Sequence, residues 1–209
     1  IIYNRDWRDI CSGSITPRGE AIFHHTIECQ APAAVRSRRE LLARMIDEVS
    51  TTTSGASILS VACGHLRELR LSRAMKSGGV RRFVGLDQDR ASLSVVDREW
   101  RGTPVETIAG SIKALWSAGL RGQTFDFIYT AGLYDYLAED LAQRLTQRMF
   151  EMLRPGGRLL VANYQAGVTD VGYMEAFMDW QLIYRDRAAL ERIGRTVPPE
   201  FVASRKLTT

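Results

Sequence analysis

The chain has 209 residues, of which 45% are hydrophobic and 25% charged, and its formal net charge is +4. This composition is ordinary for one globular domain with a hydrophobic core, and no apolar run reaches the roughly 20 residues of a membrane span. Three cysteines at wide spacings disfavour a disulfide framework and a metal site. We therefore expect a cytoplasmic protein with reduced thiols and no bound metal.

Arginines supply most of the positive charge and are scattered along the sequence, apart from one cluster, RSRR, at residues 36–39. Nucleic-acid-binding proteins instead concentrate basic residues on one face. Nucleic acid is therefore not the expected partner. The cluster is either a solvated helix face or a clamp for a carboxylate or phosphate.

The first predicted elements are a helix and a strand. AAVRSRRELLARMIDEV (33–49) carries apolar residues at helical spacing and predicts an amphipathic helix. ILSVA (58–62) is short and apolar, which is typical of a strand buried on both faces of a parallel sheet. A second helix is predicted over residues 66–75, with Gly78 just beyond its end.

The alternation continues along the chain. Strands are predicted from RRFVGLD (81–87), VETIAG (105–110), TFDFIYTAG (124–132), RPGGRLLVANY after its turn (154–164) and, at the edge, EFVASRKLTT (200–209). Helices are predicted from DRASLSVVDREW (89–100), LAEDLAQRLTQRMFEML (137–153) and RAALERIG (187–194). Alternating strands and helices indicate right-handed βαβ units and a parallel sheet with helices on both faces.

Ligands of such sheets bind beyond the carboxyl ends of the strands. Gly64 follows the strand at 58–62 and would let the backbone approach a ligand closely. Asp87 ends the next strand, where an acid can accept both ribose hydroxyls of a nucleoside. The alternative is that Gly64 only makes a tight turn and that Asp87 or Asp89 caps the helix beginning near Arg90. The strand-end position favours the ligand for Asp87 and the cap for Asp89.

Four blocks in this order, ILSVACGHLRE, FVGLDQDRASL, FDFIYTAGLYDYL and LRPGGRLLVANY, resemble the class I S-adenosylmethionine-dependent methyltransferases over residues 58–164. The resemblance implies a doubly wound α/β fold, with a mostly parallel sheet of the seven-stranded type. It also implies S-adenosylmethionine as cofactor. Two weaker pieces, PAAVRSRRELL and DWQLIYRD, are similar to a bacterial branch of the family that forms fatty-acid methyl esters.

One structural domain is expected. Residues 51–209 would form the cofactor-binding methyltransferase domain, and residues 1–50 a helical segment that packs on its core and cofactor site. The sequence opens on Ile1 rather than Met, which leaves an N-terminal neighbour open. The oligomeric state is also left open.

The resemblance implies a set of cofactor contacts at the strand ends. Asp87 matches the acid that holds the ribose, and Gln88 would lie beside the adenine. The glycine-rich turn corresponds to Ala62, Cys63, Gly64 and His65. The flank of the adenine ring corresponds to Gly110, Ser111 and Ile112. The end of the fourth strand corresponds to Thr130, Ala131 and Gly132.

The sequence departs from the family pattern at several of these positions. Ser60 replaces the usual acid of the first strand, Ala62 and Leu66 replace two glycines, and Ser111 replaces the usual acid after the third strand. A charged partner for the cofactor ammonium is then either missing or supplied by Glu68. The departures disfavour a dinucleotide, because a pyrophosphate needs the close approach that three glycines permit. They leave open a non-catalytic domain.

Residues around the strand ends are candidates for an acceptor pocket. Tyr134 and Asp135 follow the fourth strand and, with Tyr184, are the candidate catalytic residues. The candidate substrate-binding residues are Arg36, Arg39 and Trp180. Aromatic residues at helical spacing are also typical of a core, so Trp180 has that alternative interpretation.

The favoured activity is transfer of the sulfonium methyl group to a small-molecule or lipid-like acceptor. This in-line displacement depends on alignment and on exclusion of water. A carboxylate acceptor is ionised at neutral pH and needs no base. A hydroxyl acceptor would need Asp135 or His65 as a base. The alternatives are an RNA or DNA methyltransferase, disfavoured by the missing proline-aromatic motif after the fourth strand, and a non-catalytic domain.

Overall fold

The computed structural model describes residue 3 and residues 6–117 and 119–208. The helices are α1 (Pro17–Glu28), α2 (Gln30–Thr52), α3 (Arg73–Ser77), α4 (Arg90–Glu99), α5 (Glu139–Glu151), α6 (Val171–Met178) and α7 (Arg187–Gly194). The strands are β1 (Ala56–Val61), β2 (Val80–Asp87), β3 (Val105–Ala109), β4 (Phe125–Ala131) and β5 (Leu153–Ala162). None of the helices within the described ranges is long and apolar enough to cross a membrane.

The chain divides into two compact units. The first comprises Ile1–Leu42 and Gly167–Gln181, and the second comprises Ala43–Ala166 and Leu182–Thr209. The second unit contains the whole sheet.

The sheet has the strand order β3-β2-β1-β4-β5, and every neighbouring pair is parallel. β1 is buried along its whole length, as its continuous apolar sequence predicts. The predicted α/β class and parallel sheet are therefore confirmed.

The expected seven-stranded size of the sheet is wrong, because the described residues form five strands. The predicted edge strand at 200–209 is also wrong. The chain there forms a short 3-10 turn at Pro199–Phe201 and no strand as far as residue 208. Pro198 and Pro199 have no backbone N–H to donate to a sheet neighbour, which disfavours extension of the sheet at this point.

One hydrophobic cluster packs one face of the sheet against α5 and α7. The sheet contributes fully buried residues from its central strands, and α5 contributes a stripe at helical spacing. The central members are Leu59, Val61, Val84, Leu86, Ile128, Ala142, Leu145 and Met149. This packing fixes the strand ends from which the loops of the site emerge.

The predicted helix over 66–75 is replaced by a 3-10 turn at Arg67–Arg70 followed by α3. Leu66 lies in the left-handed region with φ of 49°, so the chain cannot enter a regular helix there. Ser72 then starts α3 anew, because its hydroxyl accepts from the Met75 amide at 3.2 Å. Gly78 ends α3 in the left-handed conformation, as predicted.

Asp47 of α2 fixes the start of α3. Its carboxylate accepts hydrogen bonds from the Ser72 hydroxyl at 2.6 Å and the Ala74 amide at 2.9 Å. Burial acts to raise the pKa of Asp47, but these hydrogen bonds lower it overall. The ionised carboxylate therefore stabilises the junction of α2 and α3.

The first unit is built from two stretches of chain. Thr16 caps α1 by accepting from the Gly19 amide at 3.1 Å, with Pro17 at the first helical position. The Asp170 carboxylate accepts from the Ala31 amide at 2.9 Å, and the Thr26 hydroxyl is hydrogen-bonded to that of Tyr173. These bonds join residues before position 43 to residues after position 166.

Candidate functional site

The loop after β1 has an unusual backbone. Alternate residues lie in the left-handed region, with φ of 54° at Ala62, 54° at Gly64 and 49° at Leu66. These are the positions at which the family pattern has glycines, so the backbone keeps the glycine conformation although two of the residues have side chains. A Cβ atom at Gly64 would meet no atom within 4 Å, so open space adjoins the loop there.

Asp87 joins the ends of β1 and β2. One carboxylate oxygen accepts from the Gly64 amide at 2.7 Å, and the other accepts from the Asp89 amide at 2.8 Å. A carboxylate oxygen has lone pairs for more than one hydrogen bond, so both can still accept from a ligand. Asp89 caps α4 by accepting from the Ala91 amide at 2.9 Å, which confirms its predicted role.

Gly85 of β2 permits the loop to pass close to the sheet. A Cβ atom there would lie 3.0 Å from the Cys63 sulfur and 3.2 Å from the Leu66 side chain. Burial raises the pKa of the Cys63 thiol, and the charges of Asp87 and Glu68 raise it further. The thiol is therefore protonated at neutral pH and is suited to packing rather than to nucleophilic attack.

The segment after β3 reaches the same edge of the sheet. The Gly110 amide donates to the Asp87 carbonyl at 2.8 Å, and Ser111 caps the 3-10 turn Ile112–Trp116. Gln88 is exposed just beyond β2. His65 lies near α4, with its Nδ1 atom 3.5 Å from the Ser92 hydroxyl. The loops after β1, β2 and β3 thus lie together, as the sequence predicts.

The end of β4 supplies a buried hydroxyl. The Thr130 side chain is fully buried, and its oxygen has no hydrogen-bond partner among the described residues. Ala131 is the last residue of β4 and is paired with Ala162, and Gly132 follows with φ of 107°.

Tyr134 and Asp135 make structural contacts that the sequence pattern does not indicate. The Tyr134 hydroxyl lies in the core, 2.6 Å from that of Thr146, and burial raises its pKa. The Asp135 carboxylate is buried and accepts from the Tyr164 amide at 2.6 Å. The expectation that Tyr134 faces an acceptor is therefore corrected, because its side chain is fully buried in the hydrophobic cluster. The contacts of Asp135 favour a role in holding the chain just after β5.

Arg185 is a buried residue next to the predicted catalytic Tyr184, and it fastens the loop after β4. Its guanidinium donates to the Tyr134 carbonyl at 2.5 Å, and also to the Leu137 carbonyl and the Asn163 side chain. The sequence offered no signal for this role, because the position of Arg185 between Tyr184 and Asp186 forms no distinctive pattern.

The predicted substrate-binding residues all belong to the first unit. Arg36 donates to the Ile27 carbonyl at 2.6 Å. The Arg39 guanidinium lies 5.4 Å from the centre of the Tyr3 ring, and the Trp180 amide donates to the carbonyl of Met174 at 3.0 Å. Their contact with a substrate remains a prediction.

Residues 58–157, just under half of the chain, match the model of a family described as a methyltransferase domain. The fold is also shared with solved structures. A protein of Bordetella parapertussis is 19% identical, with a TM-score of 0.69 over 88% of this chain and 67% of its own. The magnesium protoporphyrin IX methyltransferase of Synechocystis, solved with bound SAH, is 10% identical, with a TM-score of 0.58 over 91% of this chain and 81% of its own.

This is the class I methyltransferase fold. The pyocyanin biosynthetic protein PhzM also has it, at 18% identity and a TM-score of 0.56, over 91% of this chain and 54% of its own. No curated protein matches the chain. The methyltransferase fold accounts for the position of the candidate site, because its ligand lies at the carboxyl edge where the strand order reverses.

Proposed function

We propose that this protein binds S-adenosylmethionine at the carboxyl edge of its sheet and transfers the methyl group to a small-molecule or lipid-like acceptor. The observation that carries the proposal is the Asp87 carboxylate, held by the amides of Gly64 and Asp89 at the end of β2. Fixed in this way, it presents acceptor lone pairs for two ribose hydroxyls.

The surrounding residues fit the cofactor. Open space adjoins Gly64, where a ligand can approach the backbone. The Thr130 hydroxyl would gain a partner, and a buried hydroxyl without one is costly. The Synechocystis methyltransferase that shares the fold was solved with bound SAH, the demethylated form of this cofactor.

The cofactor would supply an electrophilic methyl group on a sulfonium. The protein would bind the ribose through Asp87, keep the loop after β1 in place through Gly85, and exclude water from the transfer. No covalent intermediate is required. The protonated state of Cys63 is compatible with this mechanism.

The acceptor we favour is a carboxylate of a small or fatty acid. A hydroxyl acceptor needs a base, and Asp135 already accepts a backbone hydrogen bond at 2.6 Å in a buried position. A carboxylate needs no base, because it is ionised at neutral pH. The proposal includes three further points. The protein would belong to the branch that forms fatty-acid methyl esters, and it would be cytoplasmic. The acceptor would contact Arg36, Arg39, Trp180 and Tyr184.

Calorimetric titration with S-adenosylmethionine, SAH and NAD tests cofactor binding. We expect both sulfur compounds to bind, NAD not to bind comparably, and Asp87→Asn to weaken SAH binding by about 10-fold or more. A screen of acids, phenols and alcohols with methyl-labelled cofactor then tests the acceptor. Methylation of phenols but not acids, lost in Asp135→Asn, would refute the carboxylate proposal.

Two other functions have separate signatures. An RNA or DNA methyltransferase would bind generic nucleic acid with a strong dependence on salt concentration. A non-catalytic domain would bind neither S-adenosylmethionine nor SAH. The substitutions at Ala62 and Leu66 motivate this second alternative.

A further inference from the structure

Glu68 is a buried acid beside the boundary between β1 and β4. Only 8% of its surface is exposed, and its carboxylate accepts a hydrogen bond from the Tyr129 hydroxyl. Tyr129 is paired in register with Ser60 of β1. The Tyr129 hydroxyl therefore brings the carboxylate to the boundary of the two strands.

This boundary is the place where the strand order reverses. From β1 the chain goes outward to β2 and β3 on one side, and later to β4 and β5 on the other. The reversal opens a crevice beyond the carboxyl ends of β1 and β4, which is where ligands of open parallel sheets bind. Glu68 lies in the 3-10 turn Arg67–Arg70, which follows the loop at 62–66, so its backbone adjoins this crevice.

The order of the loops gives the cofactor a direction. Asp87 ends β2 and Gly110 follows β3, so a nucleoside held there lies over these two strands. Neighbouring strands are about 4.8 Å apart, so the chain that extends from the ribose past β1 reaches the boundary with β4. In S-adenosylmethionine, that part is the amino-acid portion, and it carries an ammonium group.

We propose that Glu68 binds the ammonium group of S-adenosylmethionine and that the Tyr129 hydroxyl positions its carboxylate. This inference rests on the proposed function. Position 60 is a serine, so β1 has no carboxylate of its own at this boundary. Glu68 supplies the missing negative charge from the next turn of the chain.

The electrostatics of the loop agree with this assignment. The charges of Glu68 and Asp87 both raise the pKa of the Cys63 thiol, which lies in the loop after β1. The two acids thus place negative charge near the loop. S-adenosylmethionine carries positive charge on both its sulfonium and its ammonium group, so the site and the cofactor are complementary in sign.

The test compares two ligands that differ in the amino-acid portion. SAH has it, and 5′-methylthioadenosine lacks it while keeping the adenosine and the thioether. In calorimetric titrations, Glu68→Gln should weaken SAH binding by about 10- to 100-fold and change methylthioadenosine binding by less than about 2-fold. Asp87→Asn should weaken both ligands. Glu106→Gln, which removes an exposed acid of β3, should weaken neither.

A deaminated analogue of SAH separates the ammonium group from the carboxylate. The wild-type protein should bind it about 10-fold or more weakly than SAH, and Glu68→Gln should not weaken it further. Tyr129→Phe keeps the Glu68 carboxylate and removes its donor. We expect this variant to lose SAH affinity by a smaller factor, with methylthioadenosine again unchanged.

The outcomes separate this inference from the proposed function. If the wild-type protein binds neither SAH nor methylthioadenosine, the proposed function fails. If Glu68→Gln weakens both ligands equally or neither, the proposed function stands and the role of Glu68 is refuted. Should that variant fail to fold in thermal unfolding, equal binding of SAH and its deaminated analogue by the wild-type protein refutes the role.

Discussion

The left-handed conformation of Ala62 predicts a stabilising substitution. For a residue with a Cβ atom, this conformation costs about 1–2 kcal/mol. Glycine avoids that cost but loses about 0.5–1 kcal/mol more backbone entropy on folding than alanine. Ala62→Gly should therefore raise the free energy of unfolding by about 0.5–1 kcal/mol. In a chain of this length, the gain corresponds to a rise of roughly 1–4 °C in the melting temperature.

The matched control is Ala109→Gly, at the exposed end of β3 on the same edge of the sheet. Ala109 is not among the described residues with positive φ, so this substitution should lower the free energy of unfolding by about 0.5–1 kcal/mol. Urea denaturation of both variants measures the difference. Equal destabilisation by the two substitutions would refute the reasoning that the Ala62 backbone is strained.

At Leu66, the strain of the left-handed backbone can be tested by comparing substitution with alanine and with glycine. Its side chain is buried, so Leu66→Ala should cost about 2–5 kcal/mol. Leu66→Gly removes one more carbon atom and should nevertheless be more stable than Leu66→Ala, by about 0.5–1 kcal/mol, because φ is 49°. The reverse order would show that the backbone conformation stores no strain at this position.

Three further predictions concern the supports of the site. The folded state lowers the pKa of Asp47, so the ionised carboxylate stabilises the fold above pH 3.8, its ordinary pKa, and this stabilisation is lost as the pH falls through the folded pKa. In urea denaturation, the difference in unfolding free energy between the wild-type protein and Asp47→Asn should therefore shrink below about pH 4. Gly85→Ala should cost about 1–3 kcal/mol in the same assay and weaken SAH binding, whereas Gly79→Ala, whose Cβ atom would approach no closer than 3.5 Å, should cost less. Arg185→Met should cost about 3 kcal/mol or more in thermal unfolding, since it leaves buried carbonyl groups without donors, and a cost below about 1 kcal/mol would contradict that role.

The sheet could be predicted because each strand has a local signal. The apolar stretch at 58–62 and the buried β1 differ by only one or two residues at their ends. The prediction of one helix over 66–75 was wrong, and the spacing of apolar residues could not have revealed why. Leu66 adopts a conformation that the sequence would favour only for glycine, and Ser72 starts a new helix. Helix α1 had a readable signal in Thr16 and Pro17 that the spacing of apolar residues did not reveal.

The candidate site was predictable only in part. Gly64 and Asp87 follow strands, and parallel strands bring such positions to one edge, so sequence order sufficed to join them. The orientation of Tyr134 depends on how the loop after β4 turns into the core, which three-dimensional packing decides. The contacts of Arg185 with this loop depend on pairing between residues far apart in the sequence, which no local pattern encodes.

The composition of the first unit has a consequence for the order in which the protein is made. Its two stretches are joined by the bonds of Thr26 to Tyr173 and of Ala31 to Asp170, yet all five strands lie between them in the sequence. During synthesis from the amino terminus, α1 emerges before the strands and lacks these partners until the ribosome has passed position 173. The five strands have by then already been synthesised, so the sheet can form before the first unit is complete.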